Sequence, residues 1–139
     1  MSVPAIRVVK IGGSLFDYPA LETAWNQWLS RESKMMTVII AGGGPYADLV
    51  RQWDKQFQLS EETAHWMCVT SMSITATLLY QQLPGTRLID NWLTLKEWMS
   101  SDNPADSSVF SVESFLESVE TSLPGDPLPK TWAVSSDSI

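Results

Sequence analysis

The sequence predicts an α/β fold: a three-layer αβα sandwich around a mainly parallel sheet, formed by one domain over residues 1–139. Three observations predict it. Short apolar runs of strand length alternate with segments of helical periodicity, the pattern of a parallel sheet flanked by helices. The first two runs each end in a glycine turn, Gly12-Gly13 and Gly42-Gly43-Gly44. Neither turn fits the Walker pattern or the dinucleotide fingerprint, so the commonest phosphate-binding α/β folds are disfavoured.

Residues 5–11 are apolar apart from Arg7 and Lys10, which suits a strand covered on both faces. Leu21, Ala24, Trp25, Trp28 and Leu29 recur at the spacing of an amphipathic helix over 20–32. Residues 36–41 read as a second buried strand. Pro45 fits the first turn of the next helix, where a missing N–H costs nothing. That helix carries Tyr46, Leu49, Val50, Trp53 and Phe57. Ser60 reads as an N-cap, with Glu61 and Glu62 in the favourable first turn of a long helix to about Gln82. Pro84-Gly85 ends that segment. Residues 86–90 read as a third strand and 92–99 as a short helix. Ser100 to Ser108 reads as a loop, 109–112 as a fourth strand and 113–120 as a short acidic helix. Three prolines and a glycine make 121–130 an extended loop, and Ser136 reads as a helix start. Trp25, Trp28, Trp53 and Trp98 sit at core spacing, and Cys68 reads as core. His65 reads as a polar or interface position within its helix, and Asp17 as a surface or substrate-side group.

Composition narrows the partners. Net charge is −7, which disfavours nucleic acid and anionic membranes. With one cysteine, Cys68, no intramolecular disulfide forms, and with one histidine, His65, a structural zinc site is not expected. The N-terminus lacks the basic flank and long apolar core of a signal peptide, and no apolar run approaches membrane-spanning length. A cytoplasmic location is the expectation. The helix over 60–82 is dense in Ala, Ser, Thr and Met, which permits close helix approach; either it is buried in its own chain or it joins two chains in a homodimer.

The chemistry lies at the strand ends. Ligands of open α/β sheets bind outside the carboxyl ends of strands. A bare glycine backbone lets phosphate oxygens approach main-chain N–H groups, and Lys10 adds a cation just before the first turn. Read locally, Lys10 is equally an edge residue, each glycine pair a simple turn, and Ser136 with Asp137 a helix cap.

Three motifs together, Lys10-Ile11-Gly12-Gly13-Ser14, Gly42-Gly43-Gly44-Pro45 and Ser136-Asp137-Ser138, resemble the amino acid kinase family. This is the group of acetylglutamate, aspartate, carbamate, isopentenyl phosphate and uridylate kinases. The stretch Leu128-Pro129-Lys130-Thr131-Trp132-Ala133-Val134-Ser135-Ser136-Asp137-Ser138-Ile139 looks like its aminomethylfuran phosphate kinase subgroup, which serves methanofuran-type cofactor biosynthesis. The resemblance implies phosphoryl transfer from ATP, with Mg²⁺, to a small phosphate- or carboxylate-type acceptor. It places Lys10 and Asp137 in catalysis and Gly12, Gly13 and Ser14 on phosphate. Gly42, Gly43, Gly44 and Ser136 fall to the acceptor, with Arg51 in reach of an anionic group and Trp132 against an aromatic ring. Family members continue well past the third motif, into the nucleotide pocket. The chain therefore reads as the acceptor-side portion of such a kinase. The alternative is a truncated or degenerate homologue that binds a ligand or partner without turnover.

Overall fold

A computed structural model describes residues 5–102 and 106–130. Four strands form one sheet: β1 Ile6–Ile11, β2 Met36–Ala41, β3 Arg87–Ile89 and β4 Ser107–Phe110. The order across the sheet is β1-β2-β4-β3, and every neighbouring pair is parallel. Among the described residues, five α-helices accompany them: α1 Leu21–Arg31, α2 Gly44–Phe57, α3 Glu61–Gln82, α4 Trp92–Met99 and α5 Glu113–Ser118. The predicted α/β architecture is therefore the one observed.

β2 is one of the two inner strands, beside β4, and all six of its residues are buried. Its two faces feed two separate cores. Met36, Val38 and Ile40 pack with Leu95 and Trp98 of α4, Phe110 of β4 and Leu116 of α5. Ile39 and Ala41 pack with Ile11, with Leu21 and Trp25 of α1, and with Val109. Helix α3 serves both faces: Val69 and Met72 join the first core, and Ala76 and Leu79 the second. Such two-sided burial is why β2 reads as a continuous apolar run.

Several expectations are corrected. β1 is not covered on both faces. It is an edge strand among the described residues, and Val8 is 67% exposed. Lys10 shares that open face with Val8, because side chains two apart on a strand point the same way. β4 begins at Ser107, two residues before the predicted strand. Ser107 and Ser108 are buried there, a polar pair that pattern alone assigns to the preceding loop. Trp53 is 40% exposed rather than core, and Cys68 is only half-buried. The cause is that α2 packs on α3 and buries Val50 alone of its apolar stripe. Trp25 and Trp98 are core as expected, and Trp28 packs partly buried against the second core with the Arg7 guanidinium 4.6 Å from its ring centroid. His65 stacks edge-on with Trp66, and Asp17 is exposed.

The N-cap reading of Ser60 holds. Its Oγ accepts a hydrogen bond from the Thr63 N–H at 3.1 Å, satisfying one orphan donor of α3. Ser60→Ala is expected to lower stability by about 0.5–2 kcal/mol, which a chemical denaturation curve measures.

Candidate phosphate and acceptor site

The two glycine turns lie side by side because their strands pair in register. Ile11 of β1 pairs with Ala41 of β2, so each chain leaves the sheet at the same level. The Gly42 N–H donates to the Ile11 carbonyl at 2.9 Å and ties the second turn to the first strand. The turns then meet. A Cβ built on Gly13 lies 3.2 Å from Gly44 Cα, tighter than most such contacts, so the two backbones pack directly against each other.

The first turn runs from extended Gly12 into a 3-10 turn, Gly13–Leu15. Its internal bonds use the N–H groups of Leu15 and Phe16. The leading N–H groups of such a turn, here those of Gly13 and Ser14, are the ones helical geometry leaves without an internal acceptor. Lys10 folds forward over this turn. A Cβ on Gly12 comes 3.4 Å from Lys10 Cε and 3.6 Å from Nζ. Strand geometry, which alternates sides, thus places a cation directly against the glycine turn.

The second turn is shaped by two φ values of opposite sign. Gly43 is right-handed, with φ −68° and ψ −19°, and Gly44 has φ +60°. Successive residues of this alternating kind turn their N–H groups into one concavity, an arrangement that binds anions. Pro45 follows and contributes no N–H, leaving Gly43 and Gly44 as its donors. The turn is packed from below by α3 and from the side by the first turn. A Cβ on Gly43 lies 2.7 Å from Ser71 Oγ and 2.9 Å from Ala47 Cβ. On Gly44 it lies 3.0 Å from the Phe16 ring. Thr75 Oγ1 donates to the Gly42 carbonyl at 2.6 Å.

Beside the second turn a groove of about 720 Å³ runs between α2 and α3. Its walls include Tyr46, Leu49, Trp53, Trp66, Met67 and Ile74, with Thr70 and Ser71 supplying hydroxyls. It explains the exposed stripe of α2: Tyr46, Leu49 and Trp53 face the groove instead of a core. Lys130 lies at the far rim, 3.4 Å from Glu62 and 5.2 Å from the Trp66 ring centroid.

Of the remaining sequence candidates, Arg51 pairs with Asp48 one turn earlier on α2, at 2.7 Å, and its side chain is largely exposed. Its charge also reaches Cys68. Burial pushes the Cys68 thiol up, and the nearby Arg51 charge partly opposes that. Cys68 is therefore a thiol at neutral pH. A raised acid pKa means that its stabilising contribution is present below the ordinary thiol pKa and is lost as pH rises through the folded value. Cys68 is expected to alkylate with iodoacetamide more slowly than free cysteine; an equal rate contradicts this. Trp132, Ser136 and Asp137 lie outside the described residues. Among the described residues, no group of three or more His, Cys, Asp or Glu side chains could hold a metal ion, and no helix is long and apolar enough to cross a membrane.

The sequence reading missed Thr75 and Ser71. The signal was present as hydroxyls at i and i+4 on α3, but it points only to close packing until the second turn is laid against it. Glu113 was missed too. Its two oxygens accept from Thr70 and Ser73, each at 2.6 Å, and tie α5 to α3.

No family model matches the chain. It is 28% identical over 135 residues to the (5-(aminomethyl)furan-3-yl)methyl phosphate kinase of Methanocaldococcus jannaschii, covering 96% of this chain and 57% of that protein. The chain thus spans little more than half the length of this curated relative. The fold matches the uridylate kinase of Archaeoglobus fulgidus with a TM-score of 0.53 at 14% identity, over 75% of this chain and 50% of that one. The chain is thus similar in fold to a uridylate kinase and in sequence to an aminomethylfuran phosphate kinase.

Proposed function

We propose that the chain forms the phosphate- and acceptor-binding portion of an ATP-dependent small-molecule kinase. The observation that carries the reading is the contact of the two glycine turns, with the Lys10 ammonium beside them. Two concave backbones meeting at the ends of adjacent strands can hold two phosphoryl groups next to each other. In-line transfer asks for little else beyond positioning and charge stabilisation. ATP supplies the transferred group, and Mg²⁺ travels with its phosphates, since it binds through few protein carboxylates. Lys10 acts as the charge clamp on the group in transit. Gly12, Gly13 and Ser14 hold its oxygens through main-chain N–H groups. Gly43 and Gly44 hold the anionic end of the acceptor through their N–H groups, and Gly42, expected from the sequence to bind it too, shapes the turn instead because its N–H is bonded to the Ile11 carbonyl.

The apolar, aromatic groove between α2 and α3 takes the acceptor's body. A flat ring suits walls of Tyr46, Trp53 and Trp66 better than a heavily charged nucleotide does. An aminomethylfuran phosphate has that shape, and the sequence likeness to a kinase of that name supports it. In this reading Asp137, seven residues beyond Lys130, orients the catalytic lysine. Ser136 and Trp132 take part in acceptor binding, and Arg51 attends its anionic group from α2. The working form is a cytoplasmic homodimer or higher homo-oligomer joined through α3.

The test is transfer of the labelled γ-phosphoryl group from Mg-ATP to (5-(aminomethyl)furan-3-yl)methyl phosphate. Product formation that stops in Lys10→Ala supports the kinase. A folded chain that binds both ligands and transfers nothing favours the non-catalytic alternative.

A further inference from the structure

The geometry points to Thr75 as the positioning residue of the second glycine turn: its hydroxyl locks the Gly42–Gly43 peptide so that the Gly43 N–H faces the anion site. The inference rests on the proposed function only in taking this turn as the anion-binding one.

A trans peptide is planar, with its C=O and N–H on opposite sides. Whatever holds the Gly42 carbonyl therefore aims the Gly43 N–H the other way. Thr75 Oγ1 is 2.6 Å from that carbonyl oxygen. It is also 3.2 Å and 3.3 Å from the Met72 and Ser71 carbonyls of its own helix. A hydroxyl has one proton, and the shortest contact to an oxygen that can only accept is where it goes. Thr75 is 2% exposed, so water does not compete. Its Cγ2 also lies 3.4 Å from a Cβ placed on Gly44 and props the same turn.

A lock is needed at this point because the peptide joins two glycines. Without Cβ atoms, either face of the peptide is sterically open. A rotated Gly42–Gly43 peptide would direct a carbonyl oxygen, in place of an N–H, at an anion. The preceding peptide is already fixed by the Gly42 N–H bond to the Ile11 carbonyl. Thr75 fixes the next one, and the two bonds together hold the turn between β1 and α3.

The test uses the chain with ¹⁵N-glycine and ¹³C-carbonyl labels, with inorganic phosphate as the probe. Seven glycines give a readable spectrum. In the wild type, the Thr75 hydroxyl proton is expected to exchange slowly and the Gly43 amide to move on phosphate addition. Thr75→Val should shift the Gly42 carbonyl and Gly43 amide resonances and weaken phosphate binding by about tenfold or more. Thr75→Ser, which keeps the hydroxyl, should restore both. A Thr75→Val chain that melts earlier but keeps its Gly43 amide position and phosphate affinity overturns the inference, since the hydroxyl is then merely structural. A freely exchanging wild-type hydroxyl overturns it too, even if Thr75→Val does not fold. A protected hydroxyl with Val-sensitive resonances, in a chain whose Gly43 amide ignores phosphate, upholds the lock and defeats the anion reading of the site.

Discussion

Gly44→Ala is expected to destabilise the chain by about 2–5 kcal/mol. Two separate costs add. The backbone there has φ +60°, a left-handed conformation that costs an L-residue with a Cβ roughly 1–2 kcal/mol. The new Cβ would also stand 3.0 Å from the ring of Phe16, a buried residue of the second core. Overpacking of that kind typically costs about 1–3 kcal/mol. Gly85→Ala separates the two terms. Gly85 has φ +84° but nothing within 4 Å of a built Cβ, so only the backbone cost applies. Urea denaturation of both variants measures the difference. Equal losses in the two would mean that Phe16 does not confine the turn.

Lys10→Ala is expected to lower phosphoryl transfer by at least about a hundredfold in a catalytically competent form, with little change in stability. Removing one preorganised donor from developing charge costs roughly 2.7–4 kcal/mol of transition-state stabilisation. The side chain is exposed on an open strand face, so truncation leaves no cavity. Lys10→Arg should recover only part of the rate. A planar fork and a compact ammonium present charge to a glycine turn differently. Wild-type turnover in Lys10→Ala would remove the lysine from the mechanism.

The parts of this molecule that the sequence makes legible are those where one constraint dominates. β2 is buried on both faces, so every residue of Met36–Ala41 answers to burial, and the run is unmistakable. The glycine turns are legible because close backbone contact, Gly13 against Gly44, and the positive φ at Gly44 both favour a residue without a Cβ. Ser60 is legible because capping is a local interaction. The harder cases answer to distant partners. The α2 stripe has helical periodicity, which predicts an apolar neighbour without saying whether that neighbour is a core or a groove. Trp53 therefore looks like core and lines the groove instead. Ser107 and Ser108 become strand because β2 and β3 flank them, which nothing in their own chemistry announces. Thr75 acquires its role only when residues 33 positions apart meet, at Gly42. Lys10 lies between these cases. Its place beside the glycines is visible in sequence, whereas the open face that lets it fold over Gly12 follows from the position of β1 at the sheet edge.

The most direct measurement is a calorimetric titration of Mg-ATP into the folded chain, with Lys10→Ala as the comparison. Saturable binding is expected, weakening by about tenfold or more in the variant, because the charge beside the first glycine turn is what draws the phosphates there. Equal binding by wild type and variant would contradict the claim that the joined glycine turns and Lys10 form a phosphoryl site, and no binding to a chain shown to be folded would leave these residues only the acceptor side of a kinase.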